Sequence, residues 1–202
     1  MGVSGRTFIT ADTHFGHAEA ISYFKRPFAD VKLMDDALID GINDVVGVDD
    51  TLYHLGDFVG PVEGSTSKTK HACAIRERIK CRRIILVRGN HDPHGKERYD
   101  ELFDSVHDLI SFRGWGGSNG QGDHRVVMAH YAIRVWQGRH NGSLHLYAHT
   151  HGTLPEVGRS TDVGVDCWGY RPQPLEDVLS MLAEREIGME RIRPRVQETR
   201  GA

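Results

Sequence analysis

The sequence is poor in cysteine and in long apolar runs, and each shortage excludes a class of protein. Its three cysteines, Cys73, Cys81 and Cys167, are an odd number at unrelated spacings, which argues against a disulfide framework and is typical of a reducing compartment. No apolar run approaches the roughly 20 residues that span a bilayer, and the first residues lack the basic and apolar regions of a signal peptide. We therefore expect a cytoplasmic protein that does not enter a membrane.

The sequence also lacks a strong excess of charge of either sign. Its 25 Lys and Arg residues against 28 Asp and Glu residues leave a formal net charge of −3. Proteins grip duplex DNA largely through basic surfaces that contact its phosphates, so we do not expect strong binding to duplex nucleic acid. A chain of 202 residues buries roughly 70% of the surface of its unfolded form. Because no internal repeat or low-complexity linker divides it, we expect one domain over residues 1–202.

Histidine is the residue that the sequence has in quantity, with 13 in the chain. Several of these histidines stand at the end of a short apolar run that predicts a β-strand, some of them beside Asp or Asn. The five runs are residues 6–11, 51–55, 83–87, 125–129 and 144–147. The polar residues after them are, in chain order, Asp12 and His14, Asp57, Asn90 and His91, His130, and His149 and His151.

The remaining patterns predict helices early in the chain and further strands late in it. Apolar residues at helical spacing favour helices at residues 30–46, 68–80, 96–103 and 175–186. Residues 106–112 and 161–165 favour strands, and the glycine-rich segment 114–122 is typical of a hairpin turn. Because helices alternate with strands before strands follow strands, we expect a mixed α/β domain whose sheets are covered by helices.

The polar clusters at the strand ends indicate a single metal site. Ligands of α/β sheets bind just beyond the carboxyl ends of the strands, and carboxylates with imidazoles suit first-row divalent ions. A structural zinc site would need a cluster of cysteines instead. Eight candidates are too many for one ion, whereas two ions that share a bridging carboxylate use seven and leave one free. Asp57 suits the bridge because it stands alone at its strand end, and Gly56 before it permits close approach.

Five short motifs carry a resemblance to a known superfamily. They are Asp12-x-His14, Gly56-Asp57, Gly89-Asn90-His91-Asp92, His130 and His149-x-His151. In this order they resemble the motifs of the calcineurin-like metallophosphoesterases. Segments 12–17, 26–28, 55–58, 134–136 and 163–172 further resemble a small bacterial and phage branch of that superfamily. The resemblance implies an α/β fold of two packed mixed β-sheets flanked by helices, a four-layer αββα sandwich.

The resemblance also implies a centre of two divalent metal ions. Mn²⁺ is the first choice for them, and Fe²⁺, Zn²⁺, Ni²⁺ and Co²⁺ accept the same ligands. One ion would be held by Asp12, His14, Asp57 and His151, and the other by Asp57, Asn90, His130 and His149. His91 would stand free of the metals and face the ester as general acid, with Asp92 orienting it. Ala148 stands where the superfamily usually has glycine, and we expect it to shift the site slightly without inactivating it.

This centre implies hydrolysis of a phosphate ester, with phosphodiesters as the first candidates. The expected mechanism is in-line attack by a hydroxide that bridges the two ions. We expect the substrate to be a small phosphate ester or a nucleotide. His17, Arg134 and Trp136 are candidate substrate contacts. Arg134 would donate a pair of hydrogen bonds to a phosphate, and Trp136 would stack on a base or sugar. The structural alternatives are that His17 caps the segment after it and that Trp136 packs its loop onto the core.

Two other functions fit part of the pattern. A catalytically inactive scaffold or protein-interaction module of the same fold is expected to lose ligand positions, whereas Asn90 and His91 are both present. A mononuclear hydrolase would use only part of the ligand set, and one ion per chain at full activity would distinguish it. His54 lies inside a predicted strand, and we expect it to be an ordinary hydrogen-bonded histidine.

Overall fold

The first sheet has four parallel strands and one antiparallel edge strand. The computed structural model describes residues 5–62, 64, 67–116 and 123–188. The parallel strands are β1 (Thr7–Thr10), β2 (Thr51–His54), β3 (Arg83–Val87) and β4 (Ser105–His107), and the edge strand is β9 (Gln173–Pro174). Their order across the sheet is β4-β3-β2-β1-β9. The parallel register brings the carboxyl ends of β1, β2 and β3 to one edge of the sheet.

The second sheet has four strands and is also mixed. They are β5 (Leu109–Trp115), β6 (His124–Ala129), β7 (Leu144–Tyr147) and β8 (Ser160–Asp162), and they lie in this order across the sheet. β5 is antiparallel to β6, whereas β6, β7 and β8 are parallel to one another. The carboxyl ends of β6 and β7 therefore lie at one edge, as in the first sheet.

Helices cover the outer face of the first sheet. The long ones are α2 (Val31–Val45) and α3 (Lys68–Arg78), and the short ones are α1 (Ala18–Tyr23) and α4 (Glu97–Asp100). α2 starts after Asp30, whose side chain accepts a hydrogen bond from the Leu33 amide at 2.8 Å, and this bond satisfies one of the free N–H groups of the first turn. None of the helices that the structure describes is long and apolar enough to cross a bilayer.

Side chains along the first sheet alternate between two apolar clusters. Phe8 faces the helices, whereas Ile9 faces the second sheet and packs in a cluster with Met128 and Leu146. Helix α5 (Leu175–Ala183) adds Leu179 to this inter-sheet cluster. On the outer face of the second sheet, the segment of residues 132–142 contains a short 3-10 helix (Arg139–Asn141). The predicted fold of two packed mixed sheets flanked by helices is confirmed.

The main difference from the sequence prediction lies at residues 106–112. They form the end of β4 and the start of β5, which belong to different sheets, with Asp108 between them. A run of apolar residues cannot reveal this break, because strand periodicity does not show with which partner a strand pairs.

Smaller differences concern short elements. The predicted helix at residues 96–103 is the single turn of α4, and the predicted strand at 161–165 ends at Asp162 before a 3-10 helix, Val165–Cys167. Helix α1 and strand β9 were not predicted, because six and two residues are too few to show a period. Of the predicted turn at 114–122, residues 117–122 lie outside the described residues.

Two buried histidines, His54 and His145, have structural roles. His54 Nε2 lies 3.0 Å from Thr13 Oγ1. The Ile133 amide donates to His145 Nε2 at 3.0 Å, so the ring carries its proton on Nδ1 and donates it to the Val127 carbonyl at 3.0 Å. Burial lowers the pKa of His54 to about 3 and that of His145 to about 4. The hydrogen-bonded role expected for His54 is confirmed.

We predict that acid destabilises the metal-free protein in part through these two rings. Histidine in an unfolded chain has a pKa of about 6.5, so the unfolded state binds protons that the buried rings do not. The free energy of unfolding therefore decreases as the pH falls below about 6.5. The decrease is up to about 1.4 kcal/mol per pH unit for each ring. Thermal melting from about pH 7.5 to about pH 5 should show a shallower decrease for His145→Gln than for the wild type.

The matched control for this prediction is the exposed residue His140. His140→Gln should melt with the pH dependence of the wild type. If His145→Gln melts with an unchanged pH dependence, His145 does not contribute to acid lability.

Candidate metal centre

The loops after five strands bring the predicted ligands together. In the described part of the chain, ligand atoms of Asp12, His14 and His151 lie within 4.8 Å of one another, and so do those of Asp57, His130 and His149. One oxygen joins the two groups, because Asp57 Oδ2 lies 3.5 Å from His14 Nε2 and also 3.5 Å from His130 Nε2. Asp57 thus occupies the position expected of a shared ligand.

Strained backbone marks the same residues. Among the residues that the structure describes, seven non-glycine residues have a positive φ, and five of them are predicted ligands. Their φ angles lie between 46° and 70°, a left-handed conformation that costs of order 1–3 kcal/mol for a side chain of this kind. Such strain clusters at functional sites, where the surrounding structure holds it in place. The five are Asp12, His14, Asp57, His149 and His151.

Two glycines allow the loops of β2 and β3 to touch. A Cβ atom on Gly89 would lie 2.3 Å from Asp57 Oδ1 and 2.4 Å from the Asp57 amide nitrogen. A Cβ atom on Gly56, which has a φ of +91°, would lie 2.7 Å from His130 Nδ1. The close approach expected at Gly56 is therefore found, and Gly89 has the same role.

Asp12 and Asp57 each use one oxygen to hold the backbone and turn the other to the centre. Asp12 Oδ2 accepts a hydrogen bond from the His149 amide at 2.8 Å, and Asp57 Oδ1 accepts one from the His91 amide at 2.7 Å. Asp12 Oδ1 and His14 Nε2 are buried and have no hydrogen-bond partner in the described part of the structure. Polar atoms buried in this way are normally satisfied, so these two atoms fit metal ligation.

The electrostatics of the centre also fit a cation. Burial raises the pKa of Asp12 well above its usual range, and the neighbouring charge of Asp57 raises it further. Burial likewise raises the pKa of Asp57 to about 6. Burial lowers the pKa of His14, His130 and His149, so their rings are neutral at pH 7. Neutral imidazoles with carboxylates that need a counter-charge are the donor set of a divalent ion.

His130 and Asn90 face Asp57 from the second group. The His130 ring lies with Nδ1 2.8 Å from the Leu55 carbonyl, to which Nδ1–H donates a hydrogen bond. The lone pair of its Nε2 is therefore directed to the centre, where Asn90 Oδ1 lies 3.0 Å away. Metal-binding histidines commonly donate their other ring N–H to a carbonyl in this way, and the bond fixes the tautomer of the ring.

A buried ion pair orients His151 in the same way. His151 Nδ1 lies 2.7 Å from Asp166 Oδ2, and Arg26 donates to both oxygens of that carboxylate at 2.9 and 2.8 Å. Arg26 also donates to the carbonyls of Asp12 and Thr13 at 2.7 and 2.9 Å. Burial opposes ionisation of Asp166, but the hydrogen bonds from His151 and Arg26 outweigh it and hold its pKa below the usual range. The motifs containing Arg26 and Asp166 were noted in the sequence, but this pairing was not foreseen.

Asp92 holds the backbone around Asp57, and its orientation of the His91 ring stays a prediction. The Asp92 carboxylate accepts hydrogen bonds from the amides of Asp57, Phe58 and Gly89 at 2.8 to 3.0 Å and from the Tyr99 hydroxyl at 2.6 Å. Asp92 therefore fixes the backbone that carries Asp57. The His91 ring lies 5.0 Å from the ring of His14 between centroids, and Lys68 Nζ donates to the His91 carbonyl at 2.6 Å.

His17 points into the site. It occupies the N-cap position of α1, but its side chain makes no capping hydrogen bond. Its Nδ1 lies 3.3 Å from His14 Nδ1, and its ring centroid lies 5.7 Å from that of His91. Phe24, which the sequence did not single out, stacks on His151 at 3.4 Å between ring centroids. Phe24 has no local signal because only the fold brings α1 to His151.

Trp136 lies on the outer face of the second sheet. Its indole N–H donates to the Ser143 carbonyl at 3.1 Å, and its ring contacts His145 and the guanidinium of Arg139. Trp136 packs its loop onto the sheet, and the contact of substrate with its ring stays a prediction. Arg134 is exposed and lines a cavity on this face with Trp136.

Ala148 does not place its methyl group in open space. It is fully buried and belongs to the apolar cluster between the two sheets. Its amide donates to the His130 carbonyl at 2.9 Å, which ties the ends of β6 and β7 together. The slight shift of the site expected from alanine at this position stays a prediction.

Two known proteins match nearly the whole chain. The uncharacterized protein MJ1445 of Methanocaldococcus jannaschii is 38% identical over an alignment of 192 positions, and the match covers 90% of this chain and 94% of that protein. The gene 66 protein of Mycobacterium phage L5 is 30% identical over an alignment of 208 positions, and the match covers 89% of this chain and 97% of that protein. The chain belongs to the family of these two proteins.

Other comparisons bear on the fold alone. No protein-family model matches the chain. The crystal structure of AQ665, a protein of unknown function from Aquifex aeolicus, has a TM-score of 0.64 and 21% sequence identity. The match covers 88% of this chain and 99% of that one, so the two proteins share their fold over almost their whole length.

We predict that Gly89→Ala weakens metal binding by roughly tenfold or more, because the methyl group would displace Asp57. Gly95→Ala is the control, since a Cβ atom on Gly95 meets nothing within 4 Å and adds only the backbone strain expected at its φ of +62°. Calorimetric titration with Mn²⁺ measures both variants. Wild-type affinity in Gly89→Ala would show that the close approach of the two loops is not required.

We predict that Asp166→Asn lowers metal affinity by about 10–100-fold, as expected when the partner of a ligating histidine is lost. The matched control is Asp44→Asn, which removes an exposed aspartate that pairs with Arg171 at 3.0 Å. Metal content after dialysis against a chelator provides the measurement. Equal retention of metal by the two variants would exclude a role for Asp166 in orienting His151.

Proposed function

We propose that the protein is a metal-dependent phosphoric ester hydrolase of the calcineurin-like metallophosphoesterase superfamily. The observation that carries the proposal is the position of Asp57 Oδ2, at 3.5 Å from a histidine nitrogen of each ligand group. The ordered motifs in the sequence and the strained ligand backbones support it. Each observation alone is compatible with an ordinary loop cluster, and their coincidence in one place favours a dinuclear centre.

Two divalent ions fit this donor set. Asp12, His14 and His151 would hold one ion, and Asn90, His130 and His149 the other, with Asp57 shared. We propose Mn²⁺ as the first candidate, and the same ligands accept Fe²⁺, Zn²⁺, Ni²⁺ or Co²⁺. When bound, two such ions activate water and offset the charge that develops on the phosphoryl oxygens.

His91 is the group that we propose to act on the ester. Its ring stands at the meeting point of the two ligand groups, since its ligand atom lies within 4.8 Å of those of His14 and Asp57. In the reaction, the oxygen of water bonds to phosphorus as the bond to the leaving oxygen breaks on the opposite side. His91 would donate a proton or a hydrogen bond to that leaving oxygen. The backbone contacts of His91 to Asp57 and Lys68 hold it in place for this.

His17 is proposed to assist at the same position. Its ring is buried to 6% exposure beside His14 and His91, and burial lowers its pKa. A neutral imidazole can donate a hydrogen bond to a phosphoryl oxygen from this side. We also propose that Arg134 contacts the phosphate.

The substrate class that we propose is a small phosphate ester or nucleotide, with diesters first. His149 and Asn90 are exposed, so the second ligand group is open to solvent. An inactive scaffold of the same fold is not favoured by any observation here, because every predicted ligand position is filled and the ligands converge.

We predict that His91→Ala lowers turnover by about 10²–10⁴-fold, the usual contribution of a positioned general acid. Metal content should be unchanged, because His91 is not among the proposed ligands. The measurement compares hydrolysis of an aryl phosphodiester by variant and wild type at equal metal loading, and His140→Ala serves as the exposed control. Unchanged turnover by the fully loaded variant would exclude this role.

The proposed function itself is tested by stripping the wild type of metal and reloading it with Mn²⁺. Hydrolysis of phosphodiesters, monoesters and cyclic nucleotides is then measured together with the number of ions per chain. Two ions with activity support the proposal, and one ion with full activity supports a mononuclear hydrolase. Two bound ions without hydrolysis of any substrate would contradict it.

A further inference from the structure

A cavity of about 400 Å³ lies on the outer face of the second sheet, separate from the metal centre. This volume is within the roughly 300–1,000 Å³ of small-molecule sites. The segments that follow His130 and His151 supply its walls, and the last residues of β7 supply its floor. The lining residues that define its chemistry are Ile133, Trp136, His145, Tyr147, Leu154 and Val157.

Tyr147 lines this cavity and carries a buried polar group without a partner among the described residues. The residue is 2% exposed, and its hydroxyl has no hydrogen-bond partner within the described residues. A hydroxyl buried without a partner is unfavourable, and native structures seldom leave one in this condition. A ligand that accepts a hydrogen bond from Tyr147 would remove the penalty.

Arg134 and Arg139 also line the cavity, and most of the other lining groups offer shape and apolar surface. Both ring nitrogens of His145 are already hydrogen-bonded, to Ile133 and to Val127, and the indole N–H of Trp136 is taken by Ser143. Leu154 and Val157 are 44% and 45% exposed, so apolar side chains surround the mouth of the cavity. Apolar walls with a few placed polar groups are typical of sites for aromatic ligands.

The cavity lies next to the metal ligands along the chain. Ile133 is three residues after His130, and Leu154 is three residues after His151. Three residues span at most about 11 Å, so the backbone at Ile133 and Leu154 lies within about that distance of His130 and His151. Tyr147 precedes His149 by two residues on the same strand end.

We propose that this cavity binds one aromatic or heteroaromatic ring of the substrate, which is the nucleobase of a nucleotide or the aryl group of a phosphate ester. The ring would fill the apolar space and accept a hydrogen bond from the Tyr147 hydroxyl. The claim that the ring is part of a substrate rests on the proposed function. The claim that the cavity binds such a ring does not depend on it.

Ring binding is measured on the metal-loaded full chain with adenosine, cytidine and 4-nitrophenol, which carry no phosphate ester to hydrolyse. Calorimetric titration should detect binding of at least one of them and none of ribose. Tyr147→Phe should weaken the binding by roughly 3- to 10-fold, the effect of one neutral hydrogen bond. Val157→Trp should abolish it by filling the cavity. The matched control is Val48→Trp, since Val48 is 41% exposed and does not line the cavity.

The outcomes separate the cavity from the activity. Absence of binding by every ring, or binding that neither Tyr147→Phe nor Val157→Trp weakens, overturns the inference. The selective binding of nucleosides or of 4-nitrophenol identifies the source of the ring. For the substrate role, Val157→Trp should raise the KM of a ring-bearing phosphodiester at least several-fold and leave that of dimethyl phosphate unchanged.

The two proposals fail in different ways. Hydrolysis of dimethyl phosphate without ring binding would leave the proposed function intact and remove the cavity from it. Ring binding without hydrolysis of any ester would keep the ring site but refute its place in a substrate site. Tyr147→Phe keeps the shape of the residue, so it provides the test even if Val157→Trp fails to fold.

Discussion

The burial of Asp12 and Asp57 next to each other is the constraint on which the rest of this structure depends. Both are almost fully inaccessible, and in the described residues neither forms an ion pair with a lysine or an arginine. Two carboxylates in a medium of low dielectric repel each other and resist ionisation, which is why burial raises the pKa of both. A bound divalent cation would remove this conflict, and the neutral imidazoles around the carboxylates complete a set of donors for it. The centre therefore fits a metal on energetic grounds as well as by geometry.

The surrounding structure holds the ligands in conformations that they would not adopt alone. Left-handed backbone at Asp12, His14 and Asp57 is unfavourable, and hydrogen bonds from elsewhere in the chain compensate for it. Arg26 binds the carbonyl of Asp12, and Asp92 binds the amide of Asp57. These supporting groups act on backbone atoms, so replacing them changes the position of a ligand without changing its chemistry. Groups that support candidate ligands in this way keep them in the positions that metal binding requires.

The two sheets divide the site between them. The first sheet presents Asp12, Asp57 and Asn90 at its carboxyl edge, and the second presents His130 and His149. The packing of the inter-sheet cluster fixes the distance between the two edges, and Ala148 belongs to that cluster. The outer face of the second sheet carries the cavity, whose walls continue directly from the ligand loops. A change in the packing between the sheets would therefore alter the centre and the cavity together.

The sequence by itself determined most of the elements and the positions of the ligands. Strand periodicity and the turn chemistry of Asp, Asn and His are local, so residues such as His14 and His151 could be placed at strand ends without a fold. Only the tertiary structure decided which distant groups support them, as with Arg26 and Asp166, which are 140 positions apart. It also decided that Asp92 holds backbone amides, that Trp136 packs on the far face of a sheet, and that residues 106–112 divide between two sheets. Hydrogen bonds between residues far apart in the chain leave no local pattern, so neither periodicity nor a motif predicts them.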